Sequence, residues 1–172
     1  MATTGTTPKR ATTKRAAPKR ATGGAGTKTP LDAGRLLAMN QKQLDELFSS
    51  SPAGATPEGV ADGTVIAGAG TPAARVLAPL LGLGWRGKVF YASEHDLLNR
   101  ILPIGLRAVR ATVYREKSWF DGKQAIILDY SKGALLARSI RDEIREVAPG
   151  LYLGIVYVRR TKTINFALRF PT

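Results

Sequence analysis

The densest concentration of chemically capable side chains lies in the stretch Arg138 to Glu146, which holds the run Arg141-Asp142-Glu143-Ile144-Arg145. On a helix Arg138, Arg141 and Arg145 share one face at i, i+3 and i+7, and Asp142 and Glu146 stand four apart on the neighbouring face. Of the i,i+4 pairs, Arg138–Asp142 attracts while Arg141–Arg145 and Asp142–Glu146 repel. Two readings follow. The run is a solvated helical face over a seam of Ser139, Ile140, Ile144 and Val147, or Arg141, Asp142 and Arg145 guard a pocket and fix a polar head group.

Charges inside strand-like sequence give a second clue. Arg107, Arg110, Asp129 and Arg169 sit among apolar and aromatic residues. A strand charge faces either solvent or the interior, and an interior one needs a partner or a ligand ion. Arg110 with Tyr114, and Arg169 with Phe170, are pairs suited to an anionic group. Trp85, Tyr130 and Tyr152 complete the set of residues expected to line or gate a site.

Other chemistries find less support. His95, the single histidine, stands between Glu94 and Asp96 without further ligands to complete a metal site. No serine lies in a nucleophile-elbow context. Gly68-Ala69-Gly70 lacks the third glycine and the βαβ setting of a dinucleotide loop. The absence of cysteine removes disulfides, thiolate nucleophiles and cysteine metal sites. No metal and no cofactor is implied.

The elements that must position these residues divide into a helical start and a β-rich remainder. Thr29-Pro30 reads as a cap and first-turn proline, with a helix from about Leu31 to Phe48 and a capping box at Asn40 and Gln43 restarting it. Residues 49–63 read as loop leading into a strand near Ile66. Thr71-Pro72 opens a short helix to about Leu81. Period-two alternation then predicts strands over 85–91, 107–114, 124–130, 151–159 and 163–170, with a helix over about 135–147 between them. Asp121-Gly122 signals a tight turn, and Arg160-Thr161-Lys162 is a hairpin-length link. The expected fold class is α+β, mainly an antiparallel β-barrel preceded by short helices, closure removing exposed edges.

The chain has 172 residues and a net charge of +13. Between Ala2 and Pro30 the only large side chains are basic: Lys9, Arg10, Lys14, Arg15, Lys19, Arg20 and Lys28. Such a segment cannot bury enough apolar surface to offset its ordering entropy, so residues 1–30 are expected to form a disordered tail ahead of a single domain over 31–172. Lys-Arg pairs recur every five residues at 9–10, 14–15 and 19–20, in a composition similar to linker-histone tails. These six residues are the candidates for salt-sensitive contact with DNA or another polyanion. No apolar run is long enough to span a bilayer as a helix, and no secretory h-region follows the basic start, so a soluble cytoplasmic protein is expected.

From Leu80 onward a family likeness emerges. The order is Gly82-Leu83-Gly84-Trp85-Arg86-Gly87-Lys88-Val89-Phe90, then Asp121-Gly122-Lys123, Ile127 to Ser131, Asp142 to Arg145, Gly150 to Gly154, and Phe166 to Phe170. This resembles the uncharacterised lipocalin-like, calycin-type small barrel proteins with a GxWxxxG-like motif; here Gly84 and Trp85 are adjacent. The resemblance implies a barrel with an apolar pocket and no assigned activity. The function expected is non-catalytic binding of a small hydrophobic molecule, lipid or fatty-acid-like. The alternatives are nucleic-acid or nucleoid association through the tail, and an isomerase or cyclase using Asp129 or Asp142 as base on an enclosed ligand.

Overall fold

The structure, a computed structural model, describes residues 1–3, 5, 30–66, 84–101, 106–133 and 137–171. The basic repeat of the tail, the loop after Ile66 and the helix expected at Thr71-Pro72 lie outside the described residues.

Two short helices come first, α1 (Ala33–Leu37) and α2 (Gln41–Ser50). The helical stretch expected from Leu31 to Phe48 restarts at Asn40, as its capping box predicts. The Asn40 side chain accepts from Gln43 N while the Gln43 side chain accepts from Asn40 N, which is the capping box read from the sequence. The first helix is capped by Asp32, whose carboxylate accepts from Arg35 N, not by Thr29.

Eight strands follow: β1 (Gly59–Ile66), β2 (Trp85–Tyr91), β3 (Asp96–Ile101), β4 (Leu106–Lys117), β5 (Gln124–Asp129), β6 (Ile140–Ala148), β7 (Leu151–Val158) and β8 (Thr161–Arg169). Each pairs antiparallel with its sequence neighbour, and β8 closes on β1 from Asp62↔Arg169 to Ile66↔Asn165. This is a closed up-and-down barrel with no free edge. The Asp121-Gly122 turn holds, whereas the β7–β8 link is Arg159-Arg160, Thr161 and Lys162 already belonging to β8. Gly122 has φ +72° in the β4–β5 turn, and Arg159 and Arg160 both take positive φ between β7 and β8, as a two-residue primed hairpin requires.

The helix expected over 135–147 is corrected to strand β6. Its residues alternate between the two barrel faces. Ile140, Asp142 and Ile144 belong with the lumen-side set, whereas Arg141, Glu143 and Arg145 have their ion pairs on the outer side. The alternation is hidden in the sequence because Arg141 through Arg145 are all buried, so charge marks a covered outer face and not a solvated one. Arg145 is fully buried. It donates twice to Asp121 at 2.7 Å and once to the Phe48 carbonyl at 2.9 Å, and its guanidinium lies 4.5 Å from the Phe48 ring centre.

The core has two parts. Inside the barrel Phe90, Ile126, Ile144, Tyr152, Leu168 and Phe170 pack together. On the outside, Leu36, Leu44 and Phe48 of the helices cover Leu151, Leu153, Ile155 and Tyr157 of β7 and Ala167 of β8. A fully buried Leu or Phe stabilises by about 1.5–3 kcal/mol, which fixes the helices on the barrel wall. It also explains why β7 is buried on both faces.

Candidate functional site

In an eight-stranded meander, β2 and β6 stand opposite each other. Lys88 on β2 and Asp142 on β6 both point into the lumen and meet there, Nζ to Oδ2 at 3.0 Å. The strand alternation that turns Phe90 inward also turns Lys88 inward, two residues earlier. Asn99 is the cross-strand partner of Lys88 on β3 and accepts from its Nζ at 2.9 Å. The Tyr130 hydroxyl, just past the end of β5, accepts from Lys88 Nζ and donates to Asp142 Oδ2 at 3.1 Å. Asn99 is itself held in place. Its Nδ2 donates to the Val109 carbonyl at 3.0 Å and to the Tyr130 hydroxyl at 3.2 Å, and its Oδ1 accepts from Trp85 Nε1 at 3.1 Å.

All four polar residues are nearly inaccessible, between 3% and 6% exposed. Burial lowers the Lys88 pKa from its ordinary value; the charge and hydrogen bond of Asp142 oppose this without overcoming it. Burial, followed by the Asp142 charge, pushes the Tyr130 phenol well above its usual range, so it remains a proton donor. The rings of Trp85, Tyr130 and Phe166 lie 5.2–5.6 Å from Lys88 Nζ, within the range in which aromatic faces stabilise a cation.

The cluster forms one wall of a small cavity that opens to solvent. The rest of the lining is apolar: Val65, Val109, Ala137, Ile140, Val156 and Ile164, with the Trp85 and Phe166 rings in edge contact at 5.9 Å. Phe166 lies flat over Gly154, its cross-strand partner, where an added Cβ would come within 2.3 Å of the ring. Beyond the Lys88–Asp142 bridge the lumen is filled by Phe90, Tyr152 and Phe170, whose rings pack edgewise at 5.5 and 5.6 Å. The pocket is therefore a cup at one end of the barrel. One atom in it is unmatched: Asp142 Oδ1 is buried and has no hydrogen-bond partner among the described residues.

Of the residues expected at a site, Trp85, Tyr130 and Asp142 line this pocket. The others are placed elsewhere. Arg141 and Arg145 are on the outer face of β6, turned away from the lumen because they neighbour Asp142 and Ile144 on a strand and not on a helix. Arg141 pairs with Glu143 at 3.2 Å and Glu116 at 2.7 Å. Tyr152 is at the filled end of the lumen, its hydroxyl donating to the Ala55 carbonyl at 2.8 Å. Arg110 is largely exposed and pairs with Asp96 at 3.3 Å. Arg169 is exposed and donates to the Pro149 carbonyl. His95 is exposed at the end of a single 3-10 turn, with φ +55°. Lys9, Arg10, Lys14, Arg15, Lys19 and Arg20 lie outside the described residues. Lys88 and Asn99 are the functional candidates that sequence reasoning missed. Both were legible in part: Lys88 shares a strand face with Phe90, and Asn99 shares one with Leu97 and Ile101 once 96–101 is taken as a strand.

Among the described residues, no group of three or more His, Asp or Glu could hold a metal ion, and no helix is long and apolar enough to cross a membrane. No protein-family model matches the chain, and no curated protein matches it. Among solved structures, the crystal structure of a protein from Thermomonospora curvata is similar at 20% identity, with a TM-score of 0.57. The match covers 83% of this chain and all of that one. The likeness defines the class of fold, a closed antiparallel barrel, and nothing finer.

Proposed function

We propose that the barrel binds a compact, largely apolar small molecule through a single polar group seated against Lys88, Tyr130, Asn99 and Asp142. The observation that carries this reading is Asp142 Oδ1, a buried acceptor without a partner in the wall of an otherwise apolar cup. Leaving such a group unsatisfied costs about 1–3 kcal/mol, and a ligand hydroxyl or N–H bonded to it recovers that. Small-molecule sites combine apolar walls with a few placed polar groups in this way.

The electrostatics refine the ligand class. Lys88 is already neutralised by Asp142, so a carboxylate entering the cup would meet Asp142 without a free cation to offset it. A neutral donor-bearing ligand fits better than a fatty-acid anion, and the aromatic plug at Phe90, Tyr152 and Phe170 excludes a long acyl chain. The pocket suits a small aromatic or branched alcohol.

The test compares benzyl alcohol with toluene by thermal shift on the full chain. Binding to the folded state raises Tm in proportion to RT ln(1 + [L]/Kd). A hydrogen bond to a charged group contributes about 1.5–3 kcal/mol, so benzyl alcohol is expected to bind about tenfold to a hundredfold more tightly than toluene. Equal affinities, or no shift with either, refute the reading.

A further inference from the structure

A lysine amine inside an apolar cup, with a phenol and a carboxylate both in hydrogen-bond contact with it, has the parts needed for covalent chemistry on a carbonyl. We propose that Lys88 forms an imine with a small aldehyde or ketone in the barrel pocket, with Tyr130 and Asp142 moving the protons. The inference rests on the small-molecule reading above and deepens it by naming a reactive ligand class.

The geometry matches each step. Lys88 Nζ donates to Asn99 Oδ1, the Tyr130 oxygen and Asp142 Oδ2, the three partners an ammonium group can hold. Passing one proton to Asp142 frees the nitrogen lone pair at the pocket wall. That pair attacks the carbonyl carbon, an N–C bond forms, and the C=O π pair moves to oxygen. The oxygen takes a proton from the Tyr130 hydroxyl, and the nitrogen returns one to Tyr130. The product is a neutral carbinolamine. Its hydroxyl is a donor at the place where Asp142 Oδ1 lacks one. Asp142 then returns its proton to that hydroxyl, water leaves with the C–O bonding pair, and the nitrogen lone pair closes the C=N bond. The pair that began as ammonium and carboxylate ends as protonated imine and carboxylate, with one water released and no oxidant or reductant consumed.

Burial independently favours the reactive form of the amine. Desolvation lowers the Lys88 pKa, so its neutral fraction near neutral pH exceeds that of a solvent-exposed lysine. An exposed lysine with an ordinary pKa is neutral only about one part in a thousand near pH 7.4.

The experiment treats the full chain with benzaldehyde and sodium cyanoborohydride at near-neutral pH, then locates benzyl groups by peptide mass spectrometry. Lys88 is expected to be labelled faster than any other lysine, as a larger neutral fraction requires. Tyr130→Phe is expected to slow Lys88 labelling about a hundredfold, the low end for loss of a general acid–base group, while surface labelling is unchanged. Benzyl alcohol binding is measured alongside by thermal shift. Labelling confined to surface lysines, with benzyl alcohol bound, overturns the imine inference and leaves the pocket reading standing. Failure of both overturns both.

Discussion

The Lys88–Asp142 bridge should respond to mutation in a way that separates function from stability. Asp142→Leu alone strands the Lys88 amine in the lumen, and Lys88→Met alone strands the carboxylate. Both groups are at most 5% exposed at the side chain, so neither can turn to water. Breaking a buried pair from one side costs about 3–5 kcal/mol. The double variant Lys88→Met with Asp142→Leu removes both charges and fills the lumen with apolar atoms. It leaves one neighbour short: the Tyr130 hydroxyl loses Asp142 Oδ2 as its acceptor and keeps only the bond it accepts from Asn99. Asn99 Nδ2 still donates to the Tyr130 hydroxyl and the Val109 carbonyl, and Asn99 Oδ1 still accepts from Trp85. Replacing such a pair is often neutral or stabilising, and the unpaired Tyr130 donor costs about 1–3 kcal/mol, so the double variant should lie within about 3 kcal/mol of the parent. The coupling energy of the cycle should then exceed about 3 kcal/mol. Urea unfolding followed by circular dichroism, on the parent and three variants at one pH, supplies the four free energies. The Asp142→Leu deficit should shrink as pH rises towards the ordinary lysine range. With the folded amine neutral, the unfolded state binds the extra proton, and stability climbs with pH until that proton is lost. Additive single effects, with coupling below about 1 kcal/mol, would mean that the two charges do not share a dry lumen, and the account of the site would fail. A stable double variant that no longer binds benzyl alcohol would show the pair is kept for its ligand.

Two further predictions concern the outer wall. Arg145→Ala removes a fully buried guanidinium that joins β6 to Asp121 and to the end of α2, and Asp121 retains 15% exposure. The cost should lie near the lower end of the buried-pair range, about 3 kcal/mol, read as a lower urea midpoint; a loss under about 1 kcal/mol refutes the structural role given to Arg145. The hydrogen bonds from Arg145 to Asp121 hold its carboxyl below the ordinary value. That stabilisation is present above the unfolded carboxylate pKa and lost as pH falls through the folded one, so Asp121→Asn should flatten the acid limb of the stability curve below about pH 4. An unchanged acid limb in that variant would rule the linkage out.

Much of the fold was written locally. The alternation in 85–91, 124–130 and 163–170, the Asp121-Gly122 turn and the Asn40–Gln43 capping box each need only neighbours within a few residues, so they can be read from the chain. The strands β1 and β3 were harder, because Gly59 and Gly63 leave gaps in the pattern of Gly59–Ile66 and Asp96–Ile101 carries polar residues on both faces. The stretch 138–147 misled for a physical reason. Five consecutive buried positions, four of them charged, have no solvent face to reveal the period, and whether Arg145 is exposed or covered depends on α2, almost a hundred residues away in sequence.

The site shows the same division. Residue type alone singled out Trp85, Tyr130 and Asp142 among the candidates, Asp142 only as part of a charged run read as helix. What they do was decided by closure. Only when β8 pairs with β1 does β2 come to face β6, and only then do Lys88 and Asp142, separated by 54 positions, share a buried contact. A strand's period tells which residues share a face. The barrel tells which faces meet, and the lowered amine pKa and the unmatched Asp142 oxygen exist only where they do.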